Sequence, residues 1–176
     1  MDTIFHSLYC MSMSEVLLLG VMMTLLFFLL KQAWANAPGW KVLMAALALF
    51  WAAAAVRCTL LTRDSCNGGL SLVPLHSYWE VLHGGSRERL RSNLMNTILF
   101  YPLGLIGWEL LPAALRPKTR MLILLLAAFT FSVTIECLQY LGALGLAETD
   151  DVIHNTLGTA LASSLCRIRS ERRDPP

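Results

Sequence analysis

Polar side chains that could carry out acid–base or ligand-binding chemistry interrupt stretches of the sequence that are otherwise apolar. Glu136 lies within one such stretch, and Gln139 follows three residues later, which places both on one face of a helix. An ionisable residue inside an apolar segment is costly to bury and usually faces a partner or a wet cavity. Glu136 is therefore a candidate general acid/base or cation ligand. A structural ion pair, or a protonated and hydrogen-bonded acid, is the alternative.

A second polar cluster opens the last apolar stretch with Asp150 and Asp151, and Asn155 lies one turn beyond Asp151 on the same face. An aspartate at a helix start ordinarily caps free backbone N–H groups. A second aspartate and an asparagine exceed what capping requires, so both aspartates are candidate catalytic groups and Asn155 is a candidate substrate-binding residue. Gly158 and Ala162 continue this face and predict close helix packing.

A third stretch begins with Asn93 and Asn96, and Pro102 and Gly104 disturb its middle. Backbone groups freed at the proline need partners from neighbouring helices. Three arginines precede this stretch and could bind a phosphate: Arg87, Arg89 and Arg91. Three different segments thus bring polar residues to one level, which predicts a binding site formed by Asn96, Glu136, Gln139, Asp151 and Asn155.

The elements that must position these residues are strongly apolar. The 176 residues are 56% hydrophobic and 15% charged, whereas an average soluble domain is about 25% charged. This composition excludes intrinsic disorder, and a net charge of +2 without a basic stripe argues against nucleic-acid binding. One small soluble core cannot bury five runs that are apolar on all sides. We therefore expect an all-α polytopic membrane bundle of about five transmembrane helices, over residues 14–33, 40–61, 93–111, 119–141 and 151–167.

The distribution of Lys and Arg among the connections predicts the orientation. One side carries nine basic residues, in the first connection, the third connection and the C-terminal segment, and the other side carries five. The nine-residue side should be cytoplasmic, which places the N-terminus outside and the C-terminus inside. The chain then divides into an N-terminal segment (1–13), a transmembrane domain (14–168) and a cytoplasmic tail (169–176), and the residues from Arg167 onward should be polar and disordered.

The cysteines leave two interpretations open. Cys58 and Cys66 fall on the predicted outer side, where an oxidising environment would allow a disulfide. Reduced, small, mostly buried thiols are the favoured interpretation. No Cys-x-x-Cys or Cys/His spacing predicts a metal site, and the sequence leaves any cofactor unknown.

The motif-bearing part of the chain, residues 72–162, resembles the VanZ-like family of small bacterial membrane proteins. The matching segments are Ser71–Leu75 (SLVPL), Asn93–Gly104 (NLMNTILFYPLG), Glu136–Gln139 (ECLQ) and Asp150–Gly158 (DDVIHNTLG). The resemblance implies an integral protein of the bacterial cytoplasmic membrane, associated in the founding member with resistance to the glycopeptide teicoplanin. Family members often carry a basic residue in the loop before the acidic pair, and Gly142–Ala147 has none. Arg87, Arg89 or Arg91 could substitute for it.

Three functions remain in competition, and whether the protein is an enzyme is left open. The first is action at the outer leaflet on an envelope lipid, a lipid-linked cell-wall precursor or a glycopeptide, with Glu136, Asp150 and Asp151 as the reactive groups. The second is a non-catalytic binding or assembly module whose polar cluster ties three helices together. The third is a proton- or cation-coupled transporter, against which five short spans without repeats argue.

Overall fold

The computed structural model describes residues 13–61, 66–84 and 88–173. These form α1 (Met13–Trp34), α2 (Trp40–Val56) continued by a π-helical turn (Arg57–Leu61), β1 (Cys66–Ser71), α3 (His76–Leu82), α4 (Glu88–Leu110), α5 (Pro117–Leu141), β2 (Leu144–Glu148) and α6 (Thr149–Arg173). The predicted all-α class is confirmed, since helices make up most of the described residues. Each of the five predicted apolar segments forms one long helix.

Three of these helices are long and apolar enough to cross a membrane: Leu17–Trp34, Trp40–Leu60 and Pro117–Leu141. The expected count of about five spans is not confirmed. Helices α4 and α6 contain 23 and 25 residues, but α4 begins with Glu-Arg-Leu-Arg and α6 begins with Thr-Asp-Asp and ends with charged residues. These polar ends lower the mean hydropathy of both helices, so their membrane-spanning role stays a prediction.

Helices α4 and α6 pack backbone against backbone at the centre of the bundle. A Cβ added to Gly158 would collide with the carbonyl oxygen of Thr97, and one added to Gly104 would lie 2.7 Å from the Cβ of Ala162. The predicted close packing at Gly158 and Ala162 is confirmed. Contacts at 158/97 and 162/104 advance together along both chains, so α4 and α6 run parallel.

Neighbouring helices donate hydrogen bonds to carbonyl groups around Pro102, as the sequence predicts for a proline inside a helix. Thr159 of α6 donates through Oγ1 to the Phe100 carbonyl oxygen at 3.2 Å. Trp51 of α2 donates through Nε1 to the Leu99 carbonyl oxygen at 2.6 Å. These bonds attach α2 and α6 to the disturbed middle of α4.

A two-stranded parallel ribbon, which the sequence does not predict, lies at one end of the bundle. Leu70 of β1 pairs with Ala147 of β2, and Ser71 pairs with Glu148. The β1 sequence CNGGLS has no alternation of apolar and polar residues, so periodicity gives no strand signal. We call this end, where α3 also lies, the strand end. The ends of α1, α4 and α6 lie at the opposite end.

The prediction of a disordered segment from Arg167 onward is wrong within the described residues, because α6 continues to Arg173. Arg167 donates through Nε to Oε1 of Glu171 at 2.8 Å, one turn along the helix. The guanidinium of Arg169 stacks 4.4 Å from the ring of Phe28 in α1. These tertiary and local contacts stabilise polar residues as helix. The side chain of Cys66 lies outside the described part, so both interpretations, a Cys58–Cys66 disulfide and the favoured reduced thiols, stay predictions.

Candidate functional site

Asp150 is buried at the start of α6, where it binds the backbone at the start of α3. Its Oδ1 accepts from the Leu75 N–H, and its Oδ2 accepts from the Ser77 N–H at 2.9 Å and from the Ser77 hydroxyl. Leu75 has a φ of 59°, a left-handed conformation that an apolar side chain rarely adopts. The carboxylate therefore holds a strained turn and supplies α3 with the cap that its own sequence lacks.

The hydrogen bonds to Asp150 also affect its proton affinity. Burial raises the pKa of the Asp150 carboxyl, but hydrogen bonds from Ser77 and Leu75 outweigh burial, so the pKa lies below its usual value. Asp150 precedes the predicted span of α6. The group is thus an ionised acceptor at neutral pH, a state that suits positioning of the α3 turn.

Glu136 is 8% exposed and lies in α5. Its Oε2 accepts a hydrogen bond from the Glu148 N–H at 2.9 Å. Because Glu148 ends β2 immediately before α6, this hydrogen bond connects α5 to the junction between β2 and α6. An ionisable residue inside an apolar segment does meet a partner, as the sequence predicts.

Gln139 is completely buried in α5 and donates through Nε2 to the Thr59 carbonyl oxygen at 2.9 Å. Thr59 lies in the π-helical turn after α2, where the widened helix leaves carbonyl groups in need of donors. The predicted pair on one face of α5 thus divides between two neighbours. Glu136 binds β2 and Gln139 binds the end of α2.

Asn155 is buried in α6 and donates through Nδ2 to the Ser132 hydroxyl of α5 at 2.8 Å. The register of the α4–α6 contact places Asn155 at the level of Asn96. Polar residues from α4, α5 and α6 therefore lie near the same end of the bundle. Several buried amides in the described part have an atom without a hydrogen-bond partner: Asn93 Nδ2, Asn96 Nδ2, Gln139 Oε1 and Asn155 Oδ1.

The arginines predicted to bind a phosphate differ in their surroundings. Arg89 lies between two carboxylates, with Nε 2.8 Å from Oε2 of Glu80 and Nη1 2.8 Å from Oε1 of Glu148. Arg91 lies on α4 and forms no ion pair among the described residues. Arg87 lies outside the described residues. Asp151 is buried in the first turn of α6.

Sequence reasoning missed the residues of α3 that complete this region. Ser77 binds Asp150, and a 2.8 Å hydrogen bond joins the Tyr78 hydroxyl to Nε2 of His154, which is buried. Nδ1 of His154 lies 2.6 Å from the Asp150 carbonyl oxygen. The Ser77–Asp150 and Tyr78–His154 pairs are separated by 73 and 76 positions along the chain, so no local pattern could reveal them.

An apolar groove of about 350 Å³ opens beside Glu136. Its walls come from β1, β2, α5 and the first turn of α6. Of the three predicted catalytic carboxylates, Glu136 lines the groove, whereas Asp150 and Asp151 do not. Its other lining residues are Leu70, Leu72, Phe129, Val133, Cys137, Tyr140, Ala147, Glu148, Thr149 and Val152.

Within the described ranges, no group of three or more His, Cys, Asp or Glu side chains could hold a metal ion.

The family model described as VanZ/LLP1 matches residues 15–170. The chain belongs to this family. The VanZ-like resemblance of the four sequence segments is thereby confirmed, and the family together with the apolar helices identifies a VanZ-like membrane protein. No curated protein and no solved structure matches this VanZ/LLP1 chain.

Proposed function

We propose that this VanZ/LLP1 protein binds an envelope lipid, or a lipid-linked cell-wall precursor, in the groove at the strand end. In the predicted orientation, this end lies at the outer leaflet of the bacterial cytoplasmic membrane. The observation that carries the proposal is an apolar groove with the carboxylate of Glu136 in its wall. A site of this kind suits a ligand with a hydrocarbon chain and a polar head.

The groove runs along α5 from Phe129 to Tyr140, a rise of about 16 Å at 1.5 Å per residue. Its deep part is aliphatic and aromatic, which suits an acyl or polyprenyl chain because no polar group there loses solvation. Phe129 and Tyr140 are each about half exposed on the outer surface of the bundle. A lipid could therefore enter sideways from the bilayer.

The polar rim of the groove supplies contacts for a head group. Glu148 and Thr149 lie at the junction of β2 and α6, and Arg89 contacts Glu148 from α4. Arg91 lies two residues further along α4, on the other face of that helix, and does not line the groove. Arg89 is therefore the cation beside the groove that is suited to a phosphate oxygen of a head group, a group that both envelope lipids and lipid-linked precursors carry.

The carboxylates have different roles in this proposal. Glu136 lines the groove and is the acid that would contact the ligand. Asp150 positions the α3 turn through the Ser77 and Leu75 hydrogen bonds. Asn96, Gln139 and Asn155 do not line the groove, and we assign them to holding α2, α4, α5 and α6 in place. Binding is the proposed activity, and Glu136 is the residue through which any acid–base step would act.

Filling the groove tests the proposal. Val133→Trp places an indole in the groove, and Leu138→Trp places the same side chain at an exposed position of α5 outside it. We expect Val133→Trp to lower retention of polyprenyl phosphate or phosphatidylglycerol at least tenfold, as measured by native mass spectrometry of the purified full chain. Leu138→Trp should retain the lipid. Equal retention by both variants would contradict lipid binding in this groove.

The Asp150 contacts specifically favour a second candidate, an assembly module in which the polar cluster only joins helices. Glu136→Gln distinguishes it, because the amide keeps an acceptor for the Glu148 N–H but removes the charge. Under the lipid proposal, this variant accumulates normally and alters the envelope lipid profile or the teicoplanin susceptibility of the cells. Under the assembly proposal, a variant that accumulates normally leaves both unchanged.

A further inference from the structure

A second cavity, of about 230 Å³, lies at the end of the bundle opposite the strands. All five long helices contribute a terminal residue to its lining. Four of the lining residues are cations, Lys31, Lys41, Arg120 and Arg169, and one is an acid, Glu109. We call this space the cation cavity. It shares no lining residue with the groove at the strand end.

The charges lining the cation cavity do not balance. Nζ of Lys31 lies 2.6 Å from Oε1 of Glu109, and Nζ of Lys41 donates to the backbone carbonyl oxygen of the same residue. Glu109 therefore neutralises one of the four cations. The remaining excess positive charge lies in a partly enclosed space, where low-dielectric walls strengthen its attraction for an anion.

Arg120 is the deepest of these cations, with 8% of its surface exposed. Its guanidinium carbon lies 4.3 Å from the ring centre of Trp108, and Nη2 donates to the Trp108 carbonyl oxygen. Within the described part of the chain, its Nε has no hydrogen-bond partner. A buried guanidinium with an unpaired donor is costly. Arg120 also lines the cavity, where an anion would interact favourably with its charge.

The dipoles of their own helices do not account for two of the cations, which instead donate to carbonyl oxygens in the last turn of α4. Cations stabilise C-terminal helix ends, which explains Lys31 at the end of α1 and Arg169 near the end of α6. Lys41 and Arg120 instead occupy the first turns of α2 and α5, and neither of these turns contains an acidic residue. Two helix N-termini with added positive charge form an arrangement that binds anions.

We propose that the cation cavity binds a phosphate group, carried either by an anionic lipid head group or by a soluble phosphate. The guanidinium of Arg120 and the lysine ammonium groups provide the charge-assisted donors that such a group requires. Phe28, Trp108 and Leu111 border the cavity, so the phosphate of a lipid would lie beside apolar side chains that contact its chains. In the predicted orientation, this is the inner leaflet.

The test uses the purified full chain and two probes, phosphatidic acid and inorganic phosphate, with phosphatidylcholine as the comparison lipid. Lys41→Gln combined with Arg169→Gln removes two exposed cavity cations without altering the buried Arg120. Lys118→Gln is the matched control, because Lys118 is an exposed cation of α5 at the same end but does not line the cavity. Native mass spectrometry measures retained lipid, and calorimetric titration measures phosphate binding. Arg120→Gln serves as a second variant, provided it still yields folded protein.

We expect the double variant to weaken phosphatidic acid binding at least tenfold, and Lys118→Gln to leave it within twofold. Preferential loss of phosphatidic acid over phosphatidylcholine supports a lipid head group as the ligand. Binding of inorganic phosphate with the same dependence on the variants supports the site with a soluble anion instead. Binding of both probes that is equal in the wild type, the double variant and the control overturns the proposal. The Val133→Trp result at the other groove does not affect this outcome.

Discussion

At the strand end of the bundle, buried carboxylates accept hydrogen bonds from backbone N–H groups. Asp150 binds the start of α3, and Glu136 binds the end of β2. At the opposite end, cations donate to backbone carbonyl oxygens, as Arg120 and Lys41 do to Trp108 and Glu109. Helix and turn termini leave N–H or C=O groups without partners. Carboxylates therefore lie where N–H groups need acceptors, and cations lie where carbonyl oxygens need donors.

The two ends differ in how far their charged groups are satisfied. Asp150 accepts three hydrogen bonds, whereas the buried Arg120 retains an Nε without a partner in the described part of the chain. Buried polar groups are ordinarily hydrogen-bonded, so the unpaired Nε of Arg120 is the exception that needs an explanation. The acidic residues that the sequence singles out also differ, because Asp150 is occupied by hydrogen bonds to α3, whereas Glu136 lines the groove.

The largest loss of stability is expected for Gly158→Ala. This substitution should affect both ends of the bundle, because it lies in the contact between α4 and α6, which join the two ends. The added Cβ meets the Thr97 backbone oxygen, which belongs to a helix and cannot move independently. We expect an apparent destabilisation of about 3 kcal/mol, measured by denaturation in detergent. Gly20→Ala is the control, because the atom it meets is the flexible end of Ile98. Equal destabilisation by the two variants would refute the role of backbone contact at Gly158.

The next effect is confined to the strand end. Asp150→Ala removes the acceptor of the Leu75 and Ser77 donors, which should destabilise the α3 turn by about 1–3 kcal/mol. Hydrogen exchange should accelerate in residues 75–82 and remain unchanged at the opposite end. Acceleration at both ends alike would contradict a local role. Glu171→Gln, which alters an exposed carboxylate at the far end of α6, is the matched control.

The same residue predicts a pH dependence. Because the folded pKa of Asp150 lies below its ordinary value, its stabilising contribution is present above the unfolded pKa of about 3.9. It declines as the pH falls through the lower folded value. The difference in stability between wild type and Asp150→Ala should therefore shrink at acidic pH and stay constant between about pH 6 and pH 8. A difference that grows on acidification would contradict the assignment.

The smallest effect should come from Arg89→Gln at the strand end. Arg89 is 36% exposed and pairs with Glu80 and Glu148, so solvent screening limits its contribution to about 0.5 kcal/mol. The loss should decrease further at high salt. Arg91→Gln is the control, since Arg91 forms no ion pair among the described residues. A large, salt-independent loss for Arg89→Gln would show that this end depends on its exposed ion pairs as well as its buried hydrogen bonds.

Much of the fold follows from local sequence features. Charge-poor runs predict five helices, and each forms with bounds close to those expected. The small residues Gly158 and Ala162 predict a close helix contact, because spacing along a helix sets which side chains share a face, and the structure identifies α4 as the partner. The predicted spans and their alternating direction predict that Asn96, Glu136 and Asn155 approach the same end. These features depend on interactions within one turn or one helix.

The sequence by itself thus determined the helical class, the VanZ-like motifs and the polar level shared by three helices. The tertiary structure alone decided the partners of the polar groups. Asp150 pairs with Ser77 across 73 positions, β1 pairs with β2, and Arg169 continues a helix where polar composition predicts disorder. The physical reason is that the spacing of residues along the sequence determines only which side chains share a face of one helix or strand. Hydrogen-bond partners, strand pairing and cavities depend on which elements pack together, and local propensity does not encode that choice.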